Sequence, residues 1–251
     1  MLPRNERPLD TGLHSPGEYA YRGSVSSARH ARAHRGTASE VAPPPELGPG
    51  TRIDEVIEAA ERLFVRGYRR SSVRDLAAEL GIRVSSLYYY FPSKDAILEA
   101  IIRRHLDDIR DLARSVVARG TAEGWPFREI LRTLIYESVL FLIRDRRAAE
   151  ISATQTRELP EEVQEALKPP LKEYEYTYID VIRKGIEAGE FIETDPFMAA
   201  YIIFGAQVRL SAWFDPNGRL TPEEVARIYS TLLTRAIARN PDDPAFRPTE
   251  K

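Results

Sequence analysis

SSVRDLAAELGIRVSSLYYYFPSK, residues 71–94, divides into two short helices around a tight turn. Ser72 stands where an N-cap belongs, with Asp75 three residues on as its capping-box partner. The spacing predicts a first helix over Val73 to Leu80 and a left-handed stop at Gly81. A second helix follows over Val84 to Phe91, ended by Pro92. This is the size and spacing of a helix-turn-helix, whose second helix enters the DNA major groove. A groove admits a helix that presents small or hydrogen-bonding side chains, and this one carries Ser85, Ser86 and three tyrosines.

Outward from this stretch the pattern stays helical. Ile53, Val56, Ile57, Ala60 and Phe64 form an i, i+3, i+4, i+7 stripe, and Gly67 closes that helix. Ser93 caps a long helix from Lys94 to about Ala118, with Ile97, Ile101, His105 or Leu106, Ile109 and Leu112 along one side. Gly120 to Gly124 is read as a break, and Pro126 restarts the chain at a helix start. Pro169-Pro170 is read as an interruption of a later segment. One helix is expected from Phe197 to about Trp213, apolar over much of its circumference. Thr221-Pro222-Glu223-Glu224 is a capping box for a last helix to about Arg239. Strand-like alternation is missing, so the fold class is all-α: an N-terminal three-helix helix-turn-helix head and a helical body.

Residues 1–50 are rich in Pro, Gly, Ser, Arg and His and show no sustained apolar period, the signature of a disordered extension. Arg22, Arg29, Arg32 and Arg35 lie there without an acid among them, either a phosphate-touching arm or a solvated tail. The expected division is therefore 1–50 extension, 51–97 helix-turn-helix domain, 98–240 ligand-binding and dimerisation domain, and 241–251 flexible tail.

Composition narrows the chemistry. A net charge of −2 argues against a polybasic binder but leaves room for a local DNA-reading face. Without cysteine there is no disulfide, thiolate nucleophile or zinc-thiolate site. The histidines are His14, His30, His34 and His105, three of them in the extension. A histidine metal site or catalytic triad would rest almost on His105 alone, so no enzyme, metal or cofactor is expected. No apolar run spans a bilayer and no signal-peptide core opens the chain, which points to the cytoplasm.

Typed residues at fixed spacing over Thr51 to Leu98 carry a resemblance. They are Ala60-x-x-Leu63-Phe64-x-x-x-Gly67-Tyr68, Ser71-Ser72-Val73-Arg74-Asp75-Leu76-Ala77, Gly81-Ile82, and Leu87-Tyr88-Tyr89-Tyr90-Phe91-x-Ser93-Lys94-Asp95-x-Ile97-Leu98. This segment resembles the DNA-binding domain of the TetR family of bacterial transcriptional regulators. The resemblance implies a homodimer with two such heads, a ligand pocket in each body, and loss of affinity for double-stranded operator DNA when a small-molecule effector binds. The stretch Trp213-Phe214-x-Pro216-x-Gly218-x-Leu220-Thr221-Pro222-Glu223-Glu224-Val225 is similar to a subgroup that often senses acyl-coenzyme A thioesters of fatty acids or sterol fragments.

The DNA-side expectations are Ser72 and Arg74 at phosphates, Arg83, Val84, Ser85 and Ser86 near bases, Tyr88, Tyr89 and Tyr90 toward backbone and bases, and Lys94 at a phosphate. Tyr88 could equally pack into the head. Arg83 stands where the family usually has a Ser or Thr cap, so it is expected to help set operator choice.

For the body, the expected pocket residues are Leu106, Ile109, Leu134, Ser138, Phe141, Tyr174, Tyr178, Phe204, Gln207, Val208 and Trp213. This mixture of large apolar side chains with Ser, Tyr and Gln suits an amphipathic ligand, and plain core packing is the alternative for each. Arg144, Arg146, Arg147 and Arg157 are possible partners for coenzyme A phosphates. Tyr201, Ile202, Leu210, Tyr229, Leu232, Leu233 and Ile237 are the dimer candidates, in a four-helix bundle across a two-fold axis. Alternatives are a drug- or antibiotic-sensing repressor of an efflux gene, or an all-helical scaffold or enzyme without DNA binding. Membrane association is not expected.

Overall fold

A computed structural model describes residues 52–240; the extension, its arginines and the tail lie outside the described residues. The helices in chain order are α1 (Arg52–Phe64), α2 (Val73–Glu79), α3 (Val84–Tyr90), α4 (Lys94–Ala122), α5 (Phe127–Arg144), α6 (Arg146–Gln155), α7 (Glu161–Glu187), α8 (Pro196–Val208), α9 (Leu210–Trp213) and α10 (Pro222–Arg235). Among the described residues there is no strand, only one antiparallel bridge between Phe191 and Ala238.

Local chemistry sets the boundaries. The Ser72 hydroxyl accepts from the Asp75 amide, and the Asp75 carboxylate accepts from the Ser72 amide, closing the capping box of α2. Gly81, at φ +64°, ends α2: its amide reaches the Ala78 carbonyl while Ile82 reaches Ala77. Ser93 caps α4, Asp195 caps α8, and Thr221 with Glu224 forms the capping box of α10.

Four helix expectations need correction. α4 does not break at Gly120 but runs on to Ala122. Gly120 is kept small by its neighbours, since a Cβ there would lie 2.7 Å from Ile130 Cγ1. α7 passes through Pro169 and Pro170 without interruption. A proline inside a helix costs about 3 kcal/mol; here Leu167 and Pro170 are buried, and the long helix packs along α4. The helix expected from Phe197 to Trp213 is divided at Arg209 into α8 and α9. The last helix stops at Arg235, because the chain then pairs with the segment after α7: Ile192 donates to Ile237 and Arg239 to Glu190, each over 2.9 Å.

Two apolar cores result. One lies in the body, where α10 packs chiefly on α5 and α7 joins α4, α5 and α8. The other begins in the head with Val56, Ile57, Phe64, Leu76, Leu87, Ile97 and Leu98. It does not end at the head. It continues through Ile101, Ile102 and Leu106 of α4 to Ala148 and Ile151 of α6, Leu159, and Leu167 of α7. Head and body thus share a packed core, and packed cores transmit displacement.

Candidate nucleic-acid interface and ligand cavity

α3 buries Leu87 in the head and turns its other side outward. Ser72, Arg74, Arg83, Ser85, Ser86, Tyr88 and Tyr89 are exposed, while Val84, Tyr90 and Lys94 are half-buried. Tyr89 is 85% exposed, which no packing requirement of the head explains. Tyr90 packs against the head core and meets the Tyr89 ring edge-on at 5.2 Å. Arg83 occupies the N-cap of α3 and its side chain makes no cap bond there. Lys94 is tied inward: its ammonium donates to the Tyr68 carbonyl and lies 3.8 Å from the centre of the Tyr68 ring. Burial draws its pKa down. The Tyr68 hydroxyl in turn donates to Asp95, so Lys94 and Asp95 join the start of α4 to the turn before α2.

The body holds a cavity of about 690 Å³ between α4, α6, α7 and α8. Its volume falls in the range of small-molecule sites. Six of the expected pocket residues line it: Leu106, Ile109, Tyr174, Phe204, Gln207 and Val208. Leu134, Ser138, Phe141, Tyr178 and Trp213 do not. Leu134, Ser138 and Tyr178 are sealed in the core beneath it. There the Tyr178 hydroxyl lies 3.0 Å from Ser138 Oγ and 3.2 Å from the Leu134 carbonyl, and it accepts from Gln207 Nε2 over 3.2 Å. Tyr174 donates to Gln207 Oε1 over 3.3 Å. Gln207 and Tyr174 therefore present their cavity sides from an anchored floor. Burial pushes both tyrosine hydroxyls up in pKa, so they stay neutral.

Sequence reading missed one wall. Ala149, Ser152, Ala153 and Thr156 bring α6 and the turn after it to the cavity, and Gln164, Leu167, Lys168, Leu171 and Glu175 add to the α7 wall. His105 also lines the cavity, 5% exposed, with Nδ1 2.5 Å from Asp145 Oδ2 and its ring tilted on Phe141. Glu175 is held above its usual range by burial. Beside it the Tyr201 hydroxyl is pushed up to about 12, by burial and then by the Glu175 carboxylate. Arg144, Arg146, Arg147 and Arg157 are outside the lining, and Arg146 donates to the Phe214 carbonyl over 3.0 Å.

Met198 and Ile202 of α8 and Ile228 and Leu232 of α10 are exposed, and Tyr201, also exposed, lines the cavity. Of the dimer candidates, Tyr229, Leu233 and Ile237 are partly buried against the body core. Leu210 is a correction: it is 1% exposed, packed inside this chain, and has no surface to offer a partner.

Comparison with known proteins joins these two parts. Residues 56–101 match the family described as bacterial regulatory proteins, tetR family, and residues 124–237 match the tetracyclin repressor-like C-terminal domain. The chain belongs to the TetR family of transcriptional regulators. Among TetR-family relatives, the HTH-type transcriptional repressor KstR2 of Rhodococcus jostii is 28% identical over 202 residues, covering 78% of this chain and 97% of that protein. The fatty acid metabolism regulator protein of Bacillus subtilis is 26% identical over 154 residues, 60% of this chain and 77% of that one. The structure of the ketosteroid transcriptional regulator KstR2 of Mycobacterium tuberculosis superposes with a TM-score of 0.71 at 25% identity, covering 76% of this chain and 97% of that one. The TetR-like architecture and the role of DNA-binding transcriptional regulator follow from these matches. Among the described residues no helix is long and apolar enough to cross a membrane.

Proposed function

We propose that the protein is a homodimeric cytoplasmic repressor that leaves its operator when an amphipathic effector, an acyl-coenzyme A thioester, occupies the cavity. The observation that carries this reading is the double contact of α6. One face of the helix lines the cavity through Ala149, Ser152 and Ala153. Its other face packs Ala148 and Ile151 into the core shared with the head, and Gln155 bonds to the end of α1. An occupant that displaces α6 therefore acts on α1 and α4 together. Effector must bind the DNA-free arrangement better than the DNA-bound one, or nothing switches. α4 carries the motion further, with its start in the head and Leu106 and Ile109 at the cavity. Half-sites lie about one helical turn apart or a multiple of it, so a shift of a few ångströms between heads suffices.

The exposed residues of α2 and α3 are the proposed DNA contacts, with Arg83 setting operator choice and Lys94 holding α4 to the head beside a phosphate. The exposed side chains of α8 and α10 are the proposed dimer seam. The lipid-like effector class draws on the apolar cavity walls and on relatives named for ketosteroids and fatty acid metabolism. The lining has no arginine and its one lysine, Lys168, is paired with Glu165, so the acyl part sits in the cavity and the coenzyme A phosphates stay outside it. A thermal-shift panel of acyl-coenzyme A thioesters, the matching free acids and coenzyme A alone tests this, since a ligand of the folded state raises Tm. Thioesters are expected to raise Tm and coenzyme A alone is not; no shift with any thioester contradicts the effector class.

A further inference from the structure

The reading above leaves open which atoms of an occupant the cavity recognises. Much of its lining is apolar, and its polar floor, Gln207 and Tyr174, is occupied by internal hydrogen bonds. His105 differs. It is the one histidine among the described residues and is 5% exposed, the exposure being to a cavity it lines. Asp145, at the turn between α5 and α6, receives its Nδ1 over 2.5 Å. Phe141 covers the ring at 5.4 Å between centroids. The ring is thus fixed from two sides, and Nε2 is the nitrogen left for an occupant. A histidine whose Nδ1–H points at a carboxylate offers Nε2 as an acceptor when neutral and as a donor when protonated.

The charge balance then selects the ligand group. Protonated, His105 is matched by Asp145 and the pair is neutral; unprotonated, the pair carries the charge of Asp145 alone. Neither state offers net positive charge, and of the other charged lining residues Lys168 is paired with Glu165 and Glu175 is acidic, so a ligand carboxylate would lose its hydration without return. A hydroxyl loses less and gains one hydrogen bond in either state, donating to the neutral Nε2 or accepting from the protonated one, whereas a carbonyl finds no donor on the neutral ring. We propose that His105 is the specificity-determining residue of the cavity, selecting ligands that present a hydroxyl on an apolar body. This rests on the cavity being the effector site.

The test uses perhydrophenanthrenes carrying a ketone, a hydroxyl, a carboxylate or only hydrogen at one position, titrated into the full chain by calorimetry. The alcohol is expected to bind roughly tenfold tighter than the hydrocarbon and the carboxylate, the worth of one neutral hydrogen bond, and the ketone no tighter than the alcohol. His105→Phe keeps the ring volume and is expected to level the series. His105→Gln places an amide nitrogen near the position of Nε2 and retains part of the preference. His105→Asn keeps only the group facing Asp145 and loses it. A preference unchanged in His105→Phe, or kept by Asn and lost by Gln, overturns the proposal, because His105 then acts only through Asp145. If all four compounds bind the unaltered protein equally, the selection by His105 is wrong while the cavity remains the effector site. If none binds, the selection by His105 is wrong, while the effector reading is decided separately by the thioester thermal-shift panel.

Discussion

Gln155, at the end of α6, donates from Nε2 to the carbonyl of Phe64, the last residue of α1, over 2.7 Å in a buried setting. The same carbonyl accepts from the Gly67 amide over 2.8 Å in the turn that ends α1, so Gln155 adds a second donor to it, from the body. The bond is one side of a helix whose other side is cavity wall.

Gln155→Leu keeps the volume and removes the donor. The Phe64 carbonyl keeps the Gly67 amide, and the substitution also removes the buried Gln155 Oε1, which has no partner. Thermal unfolding is expected to change by no more than about 1 kcal/mol, the net worth of one hydrogen bond. The ratio of operator Kd with and without effector is expected to shrink, because α6 then slides on α1 without pulling it. An unchanged ratio separates Gln155 from the switch.

Arg83 sits at the N-cap of α3 in extended conformation, φ −75° and ψ 147°, without a cap bond. Serine in that geometry reaches the free amides of the first turn. Arg83→Ser is expected to stabilise the protein by about 0.5–1 kcal/mol. Operator affinity and base preference are expected to change with it, measured by selection from random duplexes. A more stable protein with an unchanged selected sequence would leave Arg83 without a role in reading DNA.

Tyr89 is solvated and contributes little to the head core. Tyr89→Ala is expected to change stability by no more than about 0.5 kcal/mol. The same change is expected to weaken operator binding by roughly tenfold, one hydrogen bond's worth. Unaltered affinity in fluorescence anisotropy would place the DNA face elsewhere on the head.

Glu61 of α1 has its pKa raised to about 7, first by burial and then by Asp145 across the head–body junction. Its unfolded value is 4.5. As pH rises between these two values, the unfolded chain has already released its proton and the folded one still holds it. The folded state binds more protons, so stability falls with rising pH across that window and levels above about 7. Glu61→Gln is expected to flatten this part of the Tm profile. A profile identical to that of the unaltered protein would contradict the assignment.

Local signals made much of the fold legible. Ser72 with Asp75, Ser93, and Thr221 with Glu224 cap where their side chains say they should. Long-range packing decided the rest. Proline pairs usually stop helices, yet Pro169-Pro170 sits inside α7 because its neighbours are buried along α4, which no local rule contains. The exposed side of α3 could be read from its small and tyrosyl residues. The cavity could be read only in part. Ala149, Ser152 and Ala153 are small and carry no ligand signature, and His105 meets its partner Asp145 forty residues away. Leu210 shows the same limit: its apolar character gave no way to tell a partner's surface from this chain's own core.

The most direct test of the central claim is operator affinity measured with the cavity occupied. A duplex selected by the protein is labelled, and its Kd is followed by anisotropy during titration with the acyl-coenzyme A thioester that raises Tm most. The account predicts that operator affinity falls by at least tenfold as the thioester saturates, a coupling of about 1.4 kcal/mol or more. Saturation that leaves the operator Kd unchanged would contradict it.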